Sequence, residues 1–367
     1  MSEWKEDYLG SVLEIKYGKD HKILEKGKIP CYGSGGIMRY VNKALYDKAS
    51  ILIPRKGSLN NIYYVNDKFW TVDTLFWSII DEEQACPKYL YYQLSKIDFT
   101  ILNVGSAVPS LTVPVLNEIE IILPPLPEQK AIAEVLSSLE DKIDLLHRQN
   151  QTLEAMAETL FRQWFIEERD YTNKVSDLIG LQNGYAFKSK DFLEDGINRV
   201  IKIKNISGGI VDIYNSDFLL DDVAKQVDSK FNISSGDILF AMTGAEIGKM
   251  GIVPKTTQKL LLNQRVGLFK EKFKGARYLA YLQLKSEYGQ DYIENTATGS
   301  AQPNISTSGI ENCGFPKIDR NKIIEYSQML DELYKKVVEN LGKAKSLENL
   351  RDTLLPKLMS GEVRVTT

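Results

Sequence analysis

Between Pro124 and Trp164 the apolar positions recur in alternating steps of four and three. They are Ile132, Leu136, Leu139, Ile143, Leu146, Asn150, Leu153, Ala157, Leu160 and Trp164, with one polar member. That spacing is the seam of a coiled coil. It predicts a helix of about 40 residues, roughly 60 Å long at 1.5 Å per residue. No single globular domain needs such a rod in its interior, so a partner helix is to be sought elsewhere in the chain. Upstream the period changes. ASILIPRKG (49–57) and NIYYVNDKFWTVDTLFWSII (61–80) are β-branched and aromatic and predict strands. CYGSGGIMRY (31–40) predicts a glycine-rich turn before a strand, and PKYLYYQLSK (87–96) a short amphipathic helix. GSAVPSLTVPVLNEIEIILPP (105–125) reads as a loop and then a strand that leads into the long helix.

The same plan recurs downstream. GDILFAMTG answers ASILIPRKG, with Ile51, Leu52 and Gly57 matching Ile238, Leu239 and Gly244 at an offset of 187. ARYLAYLQL answers PKYLYYQL at 189, and GSAQP (Gly299, Ser300, Ala301, Pro303) answers GSAVP (Gly105, Ser106, Ala107, Pro109) at 194. The long helix repeats too, since Leu153, Glu154, Thr159 and Leu160 match Leu347, Glu348, Thr353 and Leu354 at 194. An internal duplication of this kind signals a repeated architecture. The second seam is Leu330, Leu333, Val337, Asn340, Ala344, Leu347, Arg351, Leu354 and Leu358. The predicted layout is a globular domain (1–124), a helix (125–169), a second globular domain (170–319), a second helix (320–358) and a tail (359–367). The fold class is α+β: two duplicated globular domains joined by two long helices packed as an antiparallel coiled coil. Antiparallel pairing with residue numbers summing near 490 sets Leu153 against Val337, Leu146 against Ala344 and Asn150 against Asn340. A polar pair buried in such a seam fixes register at a cost in stability; otherwise the two amides are solvated beside an imperfect seam.

Composition narrows the function. With 367 residues, 43% of them hydrophobic, the chain is long enough for two or more cores. No apolar run approaches the roughly 20 residues of a membrane span, and the charged MSEWKEDYLG start lacks a signal-peptide core. Cys31, Cys86 and Cys313 are scattered, which fits a reducing cytoplasm and no metal site. His21 and His147 are the only histidines, so a histidine metal site or Ser-His-Asp triad is hard to build. The net charge of −3 divides as −1, −4, 0 and +2 over residues 1–124, 125–169, 170–319 and 320–367. A nucleic-acid surface therefore needs its basic residues clustered by the fold, or phosphate attraction supplied by a partner.

LPPLPEQKAIAEVLSSLEDKIDLL (123–146), NGYAFKSKDF (183–192), DILFAMTGAEIGKMGIV (237–253), LPKLMSGEVRV (355–365) and the duplicated GSAxP loops resemble the specificity subunits of type I restriction–modification enzymes. The resemblance covers essentially the whole chain. It implies two target-recognition domains, each followed by a long helix, and no catalysis of its own. It also implies double-stranded DNA as ligand, read as two half-sites across a gap, and two docked methyltransferase subunits. Those subunits would carry S-adenosylmethionine, while restriction subunits in the full complex would carry ATP and Mg²⁺. The chain itself would need no cofactor, would be cytoplasmic and would have no membrane role. An orphan or inhibitory subunit that competes for methyltransferase is the alternative within this class, and a self-contained DNA-modifying enzyme the alternative outside it.

Catalytic motifs are missing. Pro124-Pro125 lies between leucines and so lacks the Asn/Asp-Pro-Pro-aromatic pattern of an adenine methyltransferase. TGAEIGKM (243–250) has three residues between its glycines and Met250 at the Ser/Thr position, so it reads as a turn at a strand end rather than a phosphate loop. Asp221-Asp222 and Asp81-Glu82-Glu83 read as solvated loops. DNA reading needs basic, amide and hydroxyl side chains on loops. The first domain offers Lys19, Lys22, Ser34, Arg39, Arg55, Lys56 and Ser106, with the Gly33–Gly36 turn suited to phosphate. The second offers Lys188, Lys190, Lys202, Lys204, Thr243, Lys249, Arg265, Ser300, Gln302 and Asn304. Gln302 and Asn304 suit adenine, and their counterparts Val108 and Ser110 differ, as two readers of different sequences require.

Overall fold

A computed structural model describes residues 4–105, 107–165, 170–299 and 303–365. In chain order the first half contains β1 (Lys5–Tyr8), α1 (Leu9–Val12), β2 (Leu13–Tyr17), β3 (Lys26–Gly33), β4 (Gly36–Val41), β5 (Ser50–Pro54), β6 (Tyr63–Val65), β7 (Trp70–Thr71), β8 (Leu75–Ile80), α2 (Pro87–Leu94), α3 (Val113–Asn117), β9 (Glu120–Leu123) and α4 (Leu126–Phe165). The second contains β10 (Asn173–Lys174), β11 (Ile179–Asn183), β12 (Phe192–Leu193), β13 (Asn198–Ile201), β14 (Ile206–Ser207), β15 (Gly209–Val211), β16 (Asp217–Leu219), α5 (Asp221–Gln226), β17 (Asn232–Ile233), β18 (Ile238–Ala241), β19 (Met250–Ile252), β20 (Lys259–Leu262), β21 (Val266–Glu271), α6 (Ala276–Lys285), α7 (Glu287–Thr296), α8 (Thr307–Glu311), β22 (Gly314–Phe315) and α9 (Arg320–Ser360). The fold is α+β, with two compact units. Residues 1–141 and 348–367 form unit 1, and residues 142–347 form unit 2.

Each unit is built on the same frame. In unit 1 the strand order β2-β8-β5-β6 places the fully buried SILIP strand in the sheet interior. In unit 2 the order β11-β21-β18-β19 does the same for ILFA. Each frame closes with an antiparallel pair, β1 with β9 and β10 with β22. The helix over each sheet sends one glutamine to that closing pair: Gln93 Nε2 donates to Ile122 O at 2.8 Å, and the buried Gln283 Nε2 to Gly314 O at 2.6 Å. A buried amide satisfied in this way fixes the helix against the strand.

Unit 1 packs its core on the start of α4 and the end of α9, through Ile132, Ala133, Leu136, Leu358 and Met359. Unit 2 packs on the rest of α4 and α9, through Ala157, Phe161, Phe165, Leu330, Tyr334 and Val337. The helices run antiparallel within each unit. In unit 2, Asn150 meets Asn340 and Trp164 stacks on Tyr326 at 3.9 Å. In unit 1 the buried Glu128 takes a bidentate pair from Arg364 and a hydrogen bond from Trp4 Nε1.

The predicted seam departs from the observed one near the end of α4. Ile132, Leu136, Ile143, Leu146, Asn150 and Ala157 are buried, but Leu139, Leu153, Leu160 and Trp164 are only half-buried. Phe161 and Phe165, which the seam omits, are buried instead. A straight helix drifts about 20° per heptad from a 3.5-residue repeat, so the buried face moves round and meets the core of unit 2. On α9, Leu330, Val337, Asn340, Ala344 and Leu358 are buried, and Leu333, Leu347, Arg351 and Leu354 are half-buried. Two further expectations are corrected. The loop read ahead of the strand within 105–125 contains the helix α3, which begins after extended Thr112 with proline in its first turn. Asp221 and Asp222 lie in the first turn of α5 rather than in a loop, where acids complement the helix dipole, and Asp221 accepts from Asn198.

Asn340 Nδ2 donates to Asn150 Oδ1 at 3.0 Å, with the two residues 1% and 5% exposed. Asn150 Nδ2 reaches Val337 O only at 3.4 Å. Replacing both by leucine exchanges two buried amides for apolar packing, and a raised melting temperature is expected in thermal denaturation. A lowered one means that the pair stabilises the helices rather than fixing their register.

Candidate nucleic-acid interface

At one end of each sheet the backbone forms the same edge. Three residues past the strand SILIP the chain reaches Gly57 (φ +93°), and three past ILFA it reaches Gly244 (φ +79°), a left-handed step that glycine takes without strain. Gly57 N donates to Pro109 O at 3.2 Å, and Gly244 N to Pro303 O at 2.8 Å. One step on, Leu111 N donates to Arg55 O at 2.9 Å and Ile305 N to Met242 O at 3.1 Å. Bridges join Lys56 to Ser110 and Thr243 to Asn304. On the other side, Arg55 N donates to Thr74 O and Met242 N to Arg265 O. Lys19 N donates to Thr71 O at 2.9 Å, and Tyr185 N to Leu262 O at 2.8 Å. The glycine just before each of these last two has no room for a side chain. A Cβ on Gly18 would lie 2.0 Å from Val72 O, and one on Gly184 would lie 2.2 Å from Asn263 O.

Four positions therefore coincide in backbone bonding and differ in side chain. They are Lys19 and Tyr185, Lys56 and Thr243, Thr74 and Arg265, and Ser110 and Asn304. In unit 1 Lys19 and Lys56 are exposed, and Thr74 and Ser110 half-exposed; in unit 2 Tyr185, Arg265 and Asn304 are exposed and Thr243 half-exposed. Chemically the first edge offers point charges and hydroxyls. The second offers a guanidinium, an amide, a hydroxyl and an aromatic face, a set able to contact base edges as well as phosphate. Thr74 and Tyr185 were not among the candidates read from sequence. The strand-pair offset of 191 that equates Thr74 with Arg265 leaves no identical side chains to betray it.

The remaining candidates fall into groups. In unit 1, Ser34 lies against Gly57, and a Cβ on that glycine would meet its Oγ at 3.3 Å. Lys22, Gly33, Ser34, Met38 and Thr74 surround a hollow of 660 Å³ beside the edge. Arg55 lies over Tyr17 at 5.7 Å, and Arg39 is committed to the fold through Nη2, which donates to Leu24 O at 2.8 Å. In unit 2, Lys202 and Lys204 both grip Asp217, at 2.5 and 2.6 Å. Burial opposes ionisation of that carboxyl, but the two ammonium hydrogen bonds prevail and hold it below the usual range. Lys202 also sits 3.6 Å from the centre of the Phe192 ring. Lys188 and Lys190 are exposed on the turn before β12. Lys249 pairs with Glu246 and faces a separate hollow of 390 Å³ with Gly208, Gly209, Tyr281 and Lys285. Ser106, Ser300 and Gln302 lie outside the described residues.

Among the described residues, the groups nearest to catalytic motifs are engaged by the fold. The TGAEIGKM turn spends its Gly244 and Gly248 amides on Pro303 O and Ala241 O, so neither is free to cradle a phosphate. No group of three metal-binding side chains occurs among them. Burial pushes the Cys313 thiol up to about 12 and raises that of Cys31, which disfavours the thiolate at both. No helix of the described residues is long and apolar enough to cross a membrane.

The type I restriction modification DNA specificity domain model matches residues 1–155 and again 170–335. The specificity subunit of the type I restriction enzyme MjaVIII of Methanocaldococcus jannaschii is 28% identical over 307 residues, covering 76% of this chain and 70% of that protein. That of MjaIX from the same organism is 24% identical over 349 residues, covering 88% and 79%. The crystal structure of the type I restriction-modification S subunit from M. genitalium shares the fold. Its TM-score is 0.70 at 18% identity, and the match covers 99% of this chain and 97% of that one. With the family model matching both halves of a duplicated α+β chain, this protein belongs to the type I restriction-modification DNA specificity family, whose members recognise DNA sequence.

Proposed function

We propose that the chain reads a bipartite DNA target, one half-site per target-recognition domain (1–124 and 170–319), and has no catalytic activity of its own. The observation that supports this most is the pair of edges that share backbone bonding but differ in side chain at all four positions. A reader duplicated and then diverged binds two unlike sequences with one geometry. The outer faces of α4 and α9 dock two methyltransferase subunits, which bring S-adenosylmethionine. Restriction subunits bring ATP and Mg²⁺. The helices set the gap between half-sites.

Long-read methylation mapping of a host expressing the chain with its methyltransferase tests this. The expected motif has two short half-sites separated by a fixed, unspecified gap. Asn304→Ala is expected to relax one position in one half-site by about 1–3 kcal/mol of discrimination, leaving the other half-site unchanged. A single continuous motif overturns the reading. So does methyl transfer by the chain alone from labelled S-adenosylmethionine.

A further inference from the structure

The two units differ at one sheet edge in particular. In unit 1, β3 pairs in parallel with β7 and antiparallel with β4, and β4 is the edge of its sheet. In unit 2, β13 pairs in the same way with β20 and β16, but there β12 covers β16. Phe192, Val223 and Ala224 add apolar cover on that side of unit 2. In unit 1 the equivalent strand is bare. Ile37, Met38 and Tyr40 are 49%, 58% and 51% exposed on β4. An uncovered edge strand that carries three large apolar side chains is a liability that proteins normally blunt.

Three observations say what meets it. The first is charge. Residues 19–48 hold seven Lys or Arg and three Asp or Glu, a net +4 in a chain of net −3. The ion pairs of the described residues include none of these seven cations. The second is position. The tip of the β3–β4 hairpin lies beside the edge described above, with Ser34 against Gly57 and the hollow between Gly33 and Thr74. A register shift between Cys31 and Tyr32 leaves Met38 as the extra residue of a bulge, a device that re-aims a side chain. The third is Gly35. The turn takes its left-handed step at Gly36 (φ +108°), whereas φ of Gly35 lies outside that region and a Cβ there would meet nothing within 4 Å. The fold does not need a glycine at Gly35, and its missing side chain leaves the tip open to close approach.

We propose that the β3–β4 hairpin is a DNA-reading ribbon specific to unit 1. It enters the major groove, where a two-stranded ribbon fits. Lys26, Lys28 and Lys43 reach phosphates, Gly35 gives the tip close approach, and Ile37 and Met38 face thymine methyl groups. The proposal rests on the DNA-reading function above and adds a reading element that unit 2 lacks.

The test is fluorescence anisotropy of the full chain on a mixed-sequence 30-base-pair duplex over a salt series, with melting temperatures beside it. Gly35→Glu is expected to weaken binding about tenfold or more with the melting temperature unchanged. Substituting Lys26, Lys28 and Lys43, all exposed, by glutamine is expected to reduce the salt slope by about 2–3. Arg265→Ala in unit 2 is the control. If it weakens binding while both hairpin variants bind as the parent does, the ribbon is refuted and DNA reading stands. If the parent chain binds no duplex, DNA reading fails and the ribbon with it. Unchanged DNA binding accompanied by altered self-association in sedimentation assigns the bare strand to a second copy of the chain and overturns the proposal.

Discussion

Deleting residues 141–147 and 343–349 together is expected to shorten the gap in the methylated motif by about three base pairs. Each deletion removes one heptad, so the seam phase is kept on both helices. Their numbers are matched about the 490 sum that the Asn150–Asn340 contact realises, and both asparagines are retained. Seven residues at 1.5 Å each shorten a helix by about 10 Å, and base pairs rise about 3.4 Å each. Glu140, Gly342 and Asn340 are spared. Gly342 matters because a Cβ there would lie 2.6 Å from Lys255 O, where the chain packs on α9. Methylation mapping reads the result directly. An unchanged gap with methylation intact removes the helices as the ruler, and deletion in one helix alone is expected to abolish methylation by breaking the pairing.

The largest stability effect is expected at Tyr334. Its ring is 1% exposed, stacks on Tyr278 at 4.4 Å and 4°, and meets Tyr281 edge-on at 6.0 Å. Burial raises its phenol well above the ordinary range, so the ring stays neutral. Tyr334→Ala leaves a cavity where α9 meets α6, at a cost of about 3–5 kcal/mol. For a unit of this size that is a fall of roughly 10 °C in melting temperature. Because unit 2 alone loses its support, recognition of one half-site is expected to fail first in methylation mapping at rising temperature. Tyr334→Phe keeps the stacking and is expected to melt within about 2 °C of the parent; a large loss there would assign the stabilisation to the hydroxyl instead.

The long helices were legible because their signal is local and periodic. Ile132 through Ala157 carry it in one stretch, and the duplication placed the second helix at the same relative position. The end of α4 was not legible. Phe161 displaces Leu160 because a neighbouring core competes with the seam for the same turn, and that core is assembled from residues as distant as Phe315. The candidate interface divides in the same way. Gly57, Gly244 and the GSAxP loops were visible as repeated residues. Thr74 and Tyr185 were not, since only backbone bonding makes them equivalent to Arg265 and Lys19. Lys249 and Arg39 had suitable chemistry in sequence, and the fold committed the one to Glu246 and the other to Leu24 O.

The sequence by itself determined the duplication, the α+β class and the two heptad helices, because hydrophobic period and repeated motifs act over short separations. It also determined the lack of catalytic motifs, which depends on residue type and spacing alone. Only the tertiary structure decided which basic residues gather at the strand ends, which amides are spent inside the fold, and that β4 is bare where β16 is covered. Those outcomes depend on pairings between segments tens to hundreds of residues apart, where strand register and neighbouring strands rather than local composition set what each side chain meets.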